Sequence, residues 1–216
     1  MVDFEVIFSD IRNEMEHDNE IREELITLGR RSIRNSSLTI RHLHRREMKK
    51  AQELIQENSQ LIAKINDLAK KMSASPFGMI LSCNQEYSES VLLNSFLKEE
   101  PFPSYIDLNI PYLAYLHSIP DFVGELRRVI LDSLRKKERI DISVKALELM
   151  DDLYSLLITL DYPDGLTYNL RKKTDFSRNI TEKTRGDVTL ALNRRDLVES
   201  FNKILQDHSP LERKKT

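Results

Sequence analysis

Apolar residues recur every three or four positions along most of the chain, and this spacing predicts helices rather than strands. The first run forms a short amphipathic helix over residues 2–16, with Phe4, Ile7, Phe8, Ile11 and Met15 on its apolar face. A second helix is expected to start at Asp18 or Asn19, where a side chain can cap it. No proline follows before Pro76, so this second helix is predicted to be very long.

The second half of this long helix carries a sustained apolar seam with one polar interruption. The seam consists of Met48, Ala51, Ile55, Asn58, Ile62, Ile65, Ala69 and Met72. Such a seam packs along a partner helix, and a polar residue within it can fix the register of the pair. We interpret it as part of a bundle core rather than a free coiled coil.

Five further helices complete the predicted set of about seven. They are expected over residues 76–98, from Pro111 onwards with a kink at Pro120, and over 142–160, 166–184 and 187–205, the last two divided near Gly186. No segment alternates as a strand would. The fold class is therefore predicted to be all-α, with a single domain over residues 1–206 and a disordered polar tail over 207–216.

Composition narrows the class of protein. Hydrophobic residues make up 40% and charged residues 31% of the chain, which is typical of a soluble, helix-rich protein. The net charge of -2 argues against a wholly basic nucleic-acid binder. The single cysteine, Cys83, excludes an internal disulfide and a paired-cysteine zinc site. Without a membrane-spanning run or a signal-like N-terminus, we expect a cytoplasmic protein with no membrane partner.

Two predicted helices each present a pair of carboxylates. Glu86 and Glu89 are three apart, and Asp121 and Glu125 are four apart, so each pair shares one helix face. Most glutamate pairs on helices are simply solvated. Here the first pair lies in an apolar stripe, where two acids are costly to desolvate unless a cation compensates them.

A divalent cation could neutralise both pairs if the helices meet. Mg²⁺ prefers oxygen ligands, and a bound metal can activate a water for attack on a phosphodiester. A di-iron carboxylate bundle would need Glu-x-x-His on two helices. The third residue after Glu86 is Glu89 and the third after Glu125 is Arg128, so that alternative is rejected.

The first half of the long helix is strongly basic. The run contains Arg30, Arg31, Arg34, Arg41, His42, His44, Arg45, Arg46, Lys49 and Lys50. Such a run is either a solvated face or a surface that attracts phosphates, and the two interpretations stay equally open here.

Several short motifs together resemble the translin and Trax (translin-associated factor X) family over residues 20–192. The motifs lie at 21–25, 28–30, 39–40, 43–45, 85–89 (Gln-Glu-Tyr-Ser-Glu), 124–128 (Gly-Glu-Leu-Arg-Arg) and 169–173 (Asn-Leu-Arg-Lys-Lys). The resemblance implies a translin-like helical bundle. It also implies that Glu86, Glu89, Asp121 and Glu125 match the metal-dependent ribonuclease centre of Trax.

The chain departs from translin at residues 76–80. Translin has a basic, histidine-containing stretch there, whereas this chain reads Pro-Phe-Gly-Met-Ile. RNA contacts are therefore expected from other residues, namely Arg41, His44, Arg45 and Arg128. Trax works with translin in a hollow hetero-octamer. A short chain with all four acids resembles the archaeal members, which can assemble from one kind of subunit. The resemblance therefore implies a homo-oligomer, by family an octamer. The alternative is assembly with a separate translin-like partner subunit.

The function expected on these grounds is a Mg²⁺-dependent endoribonuclease, with Mn²⁺ as an alternative ion, that cleaves single-stranded RNA by phosphodiester hydrolysis. Its four carboxylates would be both the metal ligands and the catalytic groups. The alternative is a non-catalytic assembly protein of translin type that binds single-stranded RNA or DNA. A third alternative is an all-α scaffold with no nucleic-acid role, which applies if the basic face is buried in protein contacts.

Overall fold

Every regular element in the computed structural model is an α-helix within residues 3–73, 76–136 and 140–207, the ranges that the structure describes. These ranges contain α1 (Phe4–His44), α2 (Met48–Ala69), α3 (Phe77–Lys98), α4 (Tyr112–Lys136), α5 (Ile140–Leu157), α6 (Asp164–Thr167) and α7 (Leu170–Asp207). The all-α prediction is confirmed, with seven helices in the described part. None of these helices is long and apolar enough to cross a membrane.

The chain divides into two compact units. Unit 1 comprises Met1–Phe122 and Tyr162–Lys173, and unit 2 comprises Val123–Asp161 and Thr174–Thr216. The assignment of residues 1–206 to a single domain stays a prediction. Residues 208–216 of the predicted tail lie outside the described residues, and Asp207 is the last residue of α7.

The predicted boundary between the first two helices is wrong. α1 continues through Asp18 and Asn19 for 41 residues, so the very long helix is the first one. The interruption comes instead at residues 45–47, where Arg46 has a left-handed φ of 62° and the Glu47 amide donates to the His42 carbonyl at 2.9 Å. Such a left-handed turn closes a helix end, but glycine is its usual signal and none is present here.

The apolar seam of α2 is confirmed as part of the core of unit 1. Ala51, Ile55, Ile62 and Ile65 are buried. Asn58 is 1% exposed, and its amide donates to the Ser36 hydroxyl at 2.9 Å and to the Ser32 carbonyl at 3.2 Å, both on α1. Because those bonds form only when the two helices are aligned in this way, Asn58 fixes their register.

α3 and the first part of α4 run antiparallel within unit 1. The Gln85 side chain contacts Asp121, and the Ser118 hydroxyl donates to the Ser88 hydroxyl at 2.8 Å. Residue numbers therefore rise along α3 in the direction in which they fall along α4. Phe122 is buried beside them and meets Phe96 edge-on. α4 remains helical through Pro120, and a kink there stays a prediction.

Unit 2 contains the second part of α4, α5 and most of α7. Its core includes Leu126, Ile130 and Met150, all fully buried. Arg127 links α4 to α7 within this unit through Thr184 at 2.7 Å and Asp187 at 2.9 Å. The predicted division near Gly186 is wrong, because α7 continues without a break for 38 residues. One glycine costs a helix only about 1 kcal/mol, which packing offsets.

Candidate metal centre and nucleic-acid interface

Asp121 on α4 is the predicted metal ligand whose surroundings are best defined. The Gln85 amide donates to its Oδ2 at 2.5 Å. The Lys173 ammonium donates to Oδ2 at 2.9 Å and to Oδ1 at 3.2 Å. Both carboxylate oxygens are therefore bound by donors, and a positive charge lies directly beside the carboxylate.

Lys173 lies in the first turn of α7. The residues of α7 up to and including Lys173 belong to unit 1, as Asp121 does. The Lys173 ammonium also donates to the His117 carbonyl at 3.1 Å, one turn before Asp121. The Lys173 and Asp121 side chains are 31% and 30% exposed, so water screens this pair less than it screens a pair on the open surface.

His117 is buried on the same helix, and its Nε2 lies 2.8 Å from the Thr167 carbonyl on α6. A carbonyl oxygen only accepts hydrogen bonds, so Nε2 must carry a proton and donate it. Burial lowers the pKa of His117, and the nearby Lys173 charge acts in the same direction. A neutral His117 therefore ties α6 to α4 instead of serving as a cation.

The two glutamates of α3 differ in exposure. Glu89 is 7% exposed, whereas Glu86 is half-buried. Glu89 follows Gln85 by four residues, so the two share the face of α3 that meets α4. Between them, Tyr87 is buried, and this burial raises the pKa of its hydroxyl. The apolar stripe thus holds the Glu89 carboxylate in a buried position.

Glu125 lies in unit 2, one helical turn after Asp121 along α4. Its carboxylate is 3.5 Å from the Arg128 guanidinium, which is 52% exposed. Arg128, a predicted RNA contact, is thus partly neutralised by a predicted metal ligand. Among residues 3–73, 76–136 and 140–207, no group of three or more His, Cys, Asp or Glu side chains is arranged to hold a metal. The four-carboxylate site stays a prediction.

Three predicted RNA contacts lie where α1 ends. Arg41 and Arg45 are exposed, and His44 is partly buried. We call residues 41–50, which span the end of α1 and the start of α2, the basic corner. Arg46, Lys49 and Lys50 are also exposed there. Cations in the last turn of a helix interact favourably with its dipole, so some of this charge also stabilises α1.

One acidic residue lies inside the basic corner. The Glu47 carboxylate contacts His42 closely and lies 3.5 Å from the Lys50 ammonium. The bond with His42, and secondarily the Lys50 charge, hold the pKa of Glu47 below its ordinary value. The remaining exposed cations of the corner give a local positive surface on a chain of net charge -2.

Gln85 and Lys173 are the residues that sequence reasoning did not place in the site. Both lie inside the quoted motifs, at 85–89 and 169–173. The signal for Gln85 was its position one turn before Glu89. Lys173 lies 52 residues from Asp121 along the chain, and helical periodicity contains no information about such a distant contact.

Sequence comparison finds a relative that covers most of the chain. No family model matches the chain. An uncharacterized protein of Methanocaldococcus jannaschii is 29% identical over 194 residues, which cover 89% of this chain and 86% of that protein.

Solved structures of C3PO proteins share the fold of this chain. The structure of AfC3PO in complex with duplex RNA has a TM-score of 0.81 at 27% identity and covers 87% of this chain and 97% of that one. A crystal structure of AfC3PO has a TM-score of 0.79 at 28% identity and covers 87% of this chain and 98% of that one. Apo-NeC3PO, with a TM-score of 0.77 at 24% identity, covers 85% and 96% and supports the fold alone. C3PO is a translin and Trax complex, so over most of its length the chain is similar in sequence and fold to proteins of the translin/Trax family.

Proposed function

We propose that the protein is a Mg²⁺-dependent endoribonuclease that hydrolyses phosphodiester bonds of single-stranded RNA. Glu86, Glu89, Asp121 and Glu125 are its proposed metal ligands and catalytic groups. The observation that carries the proposal is the Asp121 carboxylate, which is half-buried, is oriented by Gln85 and already attracts a cation, the Lys173 ammonium. Asp121 thus behaves as a cation-binding group, and Gln85 ties it to the helix that presents both glutamates.

In its chemistry the proposed ligand set suits a hard divalent ion, because all four residues offer carboxylate oxygens. When bound, Mg²⁺ or Mn²⁺ would lower the pKa of a water and stabilise charge on phosphate oxygens. The chain contributes the geometry: Gln85 fixes the Asp121 carboxylate, and α3 holds Glu89 in a buried position. A carboxylate in dry surroundings interacts more strongly with a cation than one in water.

RNA binding is assigned to the basic corner, through Arg41, His44 and Arg45, and to Arg128. Phosphate contacts of this kind give affinity with little sequence preference and a marked dependence on salt. The AfC3PO relative was solved with duplex RNA, so duplex as well as single-stranded RNA belongs in any binding test.

We propose that the protein assembles as a homo-oligomer, by family resemblance an octamer that encloses RNA, with a separate translin-like subunit as the alternative. Exposed apolar side chains support assembly, because monomeric proteins rarely expose long apolar stripes. One stripe lies at the start of α1 and contains Phe4, Phe8, Ile11 and Met15. A second stripe near the end of α7 contains Leu190, Leu197, Phe201 and Ile204.

The test is cleavage of end-labelled RNA, single-stranded and duplex, with Mg²⁺ or with EDTA. Wild type is compared with Glu89→Gln, which keeps the size of the side chain but removes its charge. Glu53→Gln, an exposed glutamate on α2, is the matched control. We expect cleavage that requires Mg²⁺ and is lost in Glu89→Gln but kept in Glu53→Gln.

The second candidate is a non-catalytic translin-type protein that binds single-stranded RNA or DNA. The Lys173–Asp121 pair favours it to a degree, because a purely structural ion pair would have the same geometry. Salt-sensitive binding without cleavage at any Mg²⁺ or Mn²⁺ concentration would establish this candidate. Metal-dependent cleavage that survives Glu89→Gln unchanged would place catalysis elsewhere.

A further inference from the structure

Lys173 holds the position that a metal ion would need on Asp121. Its ammonium contacts both carboxylate oxygens, at 2.9 Å and 3.2 Å, while Gln85 occupies a further acceptor direction of Oδ2. A divalent ion such as Mg²⁺ binds carboxylate oxygens at about 2.0–2.1 Å and requires nearly ideal octahedral geometry. An ammonium chelated across both oxygens competes with such an ion for the same lone pairs.

Electrostatics leads to the same conclusion. A divalent cation and an ammonium within a few ångströms of each other repel, and partial burial of the Lys173–Asp121 pair weakens the screening of that repulsion. Gln85 is neutral, so it can keep its bond to Asp121 whichever cation is present. The residue that must move is therefore Lys173.

The exposure of Lys173 allows this movement. Its side chain is 31% exposed, and on leaving Asp121 its ammonium also gives up the 3.1 Å bond to the His117 carbonyl. A four-carbon stem with that exposure can swing away from Asp121 without disturbing the helix backbone. The Asp121 carboxylate would then remain neutralised in both states, by lysine in one and by metal in the other.

We propose that Lys173 is the resident counter-ion of Asp121 and that a divalent cation binds this carboxylate only by displacing the lysine ammonium. This inference rests on the proposed metal-dependent function. It makes Lys173 a positioning residue: it stabilises the site before metal arrives, and it sets the metal affinity by competition. Removing its charge should strengthen metal binding, in contrast to the loss expected for any ligand.

The first arm of the test measures Mn²⁺ binding to the full chain by the electron paramagnetic resonance signal of free Mn²⁺, without RNA. Lys173→Met keeps most of the stem and removes the charge, and Lys173→Gln is a second neutral variant in case the first does not fold. Lys173→Arg retains a cation, and Lys172→Met alters an exposed neighbour. We expect the neutral variants to bind Mn²⁺ at least about fivefold more tightly than wild type, the scale of a screened charge repulsion near a protein surface. Lys173→Arg and Lys172→Met should match wild type.

The second arm uses wild type alone and measures acylation of individual lysines by mass spectrometry, with and without Mn²⁺. If Mn²⁺ displaces the ammonium, Lys173 reacts faster in its presence while Lys172 does not change. Tighter Mn²⁺ binding without a change in Lys173 reactivity would overturn displacement, because the lysine would then remain beside the metal. Unchanged or weaker Mn²⁺ binding in the neutral variants would overturn the competition itself.

The two proposals fail in different ways. EDTA-sensitive RNA cleavage by wild type, together with no gain in Mn²⁺ affinity in the neutral variants, would remove the lysine inference and leave the ribonuclease. If Mn²⁺ binds neither wild type nor the neutral variants and no RNA is cleaved, the metal-dependent function and the lysine inference both fail.

Discussion

Two charged regions of unit 1 are built in opposite ways. Around Asp121 the charged groups are half-buried, and each contact is made by a residue distant in sequence, such as Lys173 52 positions away. At the basic corner the arginines and lysines are exposed, and the ionic contacts are local, as those of Glu47 with His42 and Lys50 are. The first arrangement depends on packed helices, and the second depends on local sequence.

This difference separates two kinds of effect on function. Groups that packing holds in a fixed geometry suit chemistry, which tolerates little misplacement. Exposed cations suit the attraction of a polyanion, which needs charge density rather than a fixed geometry. Changes near Asp121 should therefore alter cleavage at saturating RNA, and changes at the basic corner should alter affinity and its salt dependence.

The largest effect is expected from Asp121→Asn. The carboxamide keeps the shape of the side chain but is a poor ligand for a hard cation. We therefore expect the rate of single-turnover cleavage to fall at least about 100-fold. This loss exceeds the one expected for a residue that only orients a metal ligand. RNA affinity in a filter-binding assay should not change. Asp10→Asn, an exposed position on α1, is the control for both assays. A loss of affinity equal to the loss of cleavage would contradict the separation of the two regions.

Asn58→Ala tests the packed framework without changing a proposed site residue. It removes the amide that bonds Ser32 and Ser36, leaving buried polar groups without their partner, and we expect a loss of about 2 kcal/mol in the free energy of unfolding. Urea denaturation measures it, with the exposed Gln60→Ala on the same helix as control. If Asn58→Ala were as stable as Gln60→Ala, the register role of Asn58 would be wrong.

The double variant Arg41→Ala/Arg45→Ala addresses the basic corner. We expect RNA affinity to fall roughly tenfold and the slope of log affinity against log salt to decrease by about 2, one unit for each lost phosphate contact. Cleavage at saturating RNA should be retained. Arg12→Ala/Arg22→Ala, on the same helix outside the corner, should keep the wild-type slope. Equal slopes for the two double variants would show that the corner does not contact phosphates.

The smallest effect is expected from Glu47→Gln, through pH. The pKa of Glu47 lies below its unfolded value of 4.5 because of the bond with His42 and the Lys50 charge. A carboxyl with a lowered pKa stabilises the fold above the unfolded value, and this contribution is lost as pH falls through the folded value. The Tm of wild type should therefore exceed that of Glu47→Gln at pH 6, and the difference should shrink towards pH 3. A difference independent of pH would assign the effect to shape instead of charge.

Local patterns predicted much of this molecule. The apolar seam of α2 and the polar Asn58 within it follow from helical periodicity, and both lie where the pattern indicates. The pattern also predicted acids on an apolar stripe, and Glu89 is buried. These features depend on neighbours one turn away, which is the distance over which periodicity is informative.

Other features were beyond the reach of local patterns. The turn at residues 45–47 places Arg46 at a positive φ without a glycine or proline to signal it, whereas Gly186 signals a break that packing overrides. The Lys173–Asp121 contact joins residues on different helices and depends on how α4 and α7 pack. The four carboxylates were recognised as a set through family motifs, and whether they bind one ion together stays a prediction.

The most direct test of the central claim is Mn²⁺ binding to the double variant Glu89→Gln/Asp121→Asn, compared with wild type and with Glu53→Gln/Asp10→Asn as the matched control. All three are titrated as full chains without RNA, and bound Mn²⁺ per protomer is measured. If these carboxylates hold the catalytic metal, wild type and control bind Mn²⁺ with the same stoichiometry, and the Glu89→Gln/Asp121→Asn protein loses that binding. Equal Mn²⁺ binding by all three proteins would contradict a metal site on α3 and α4.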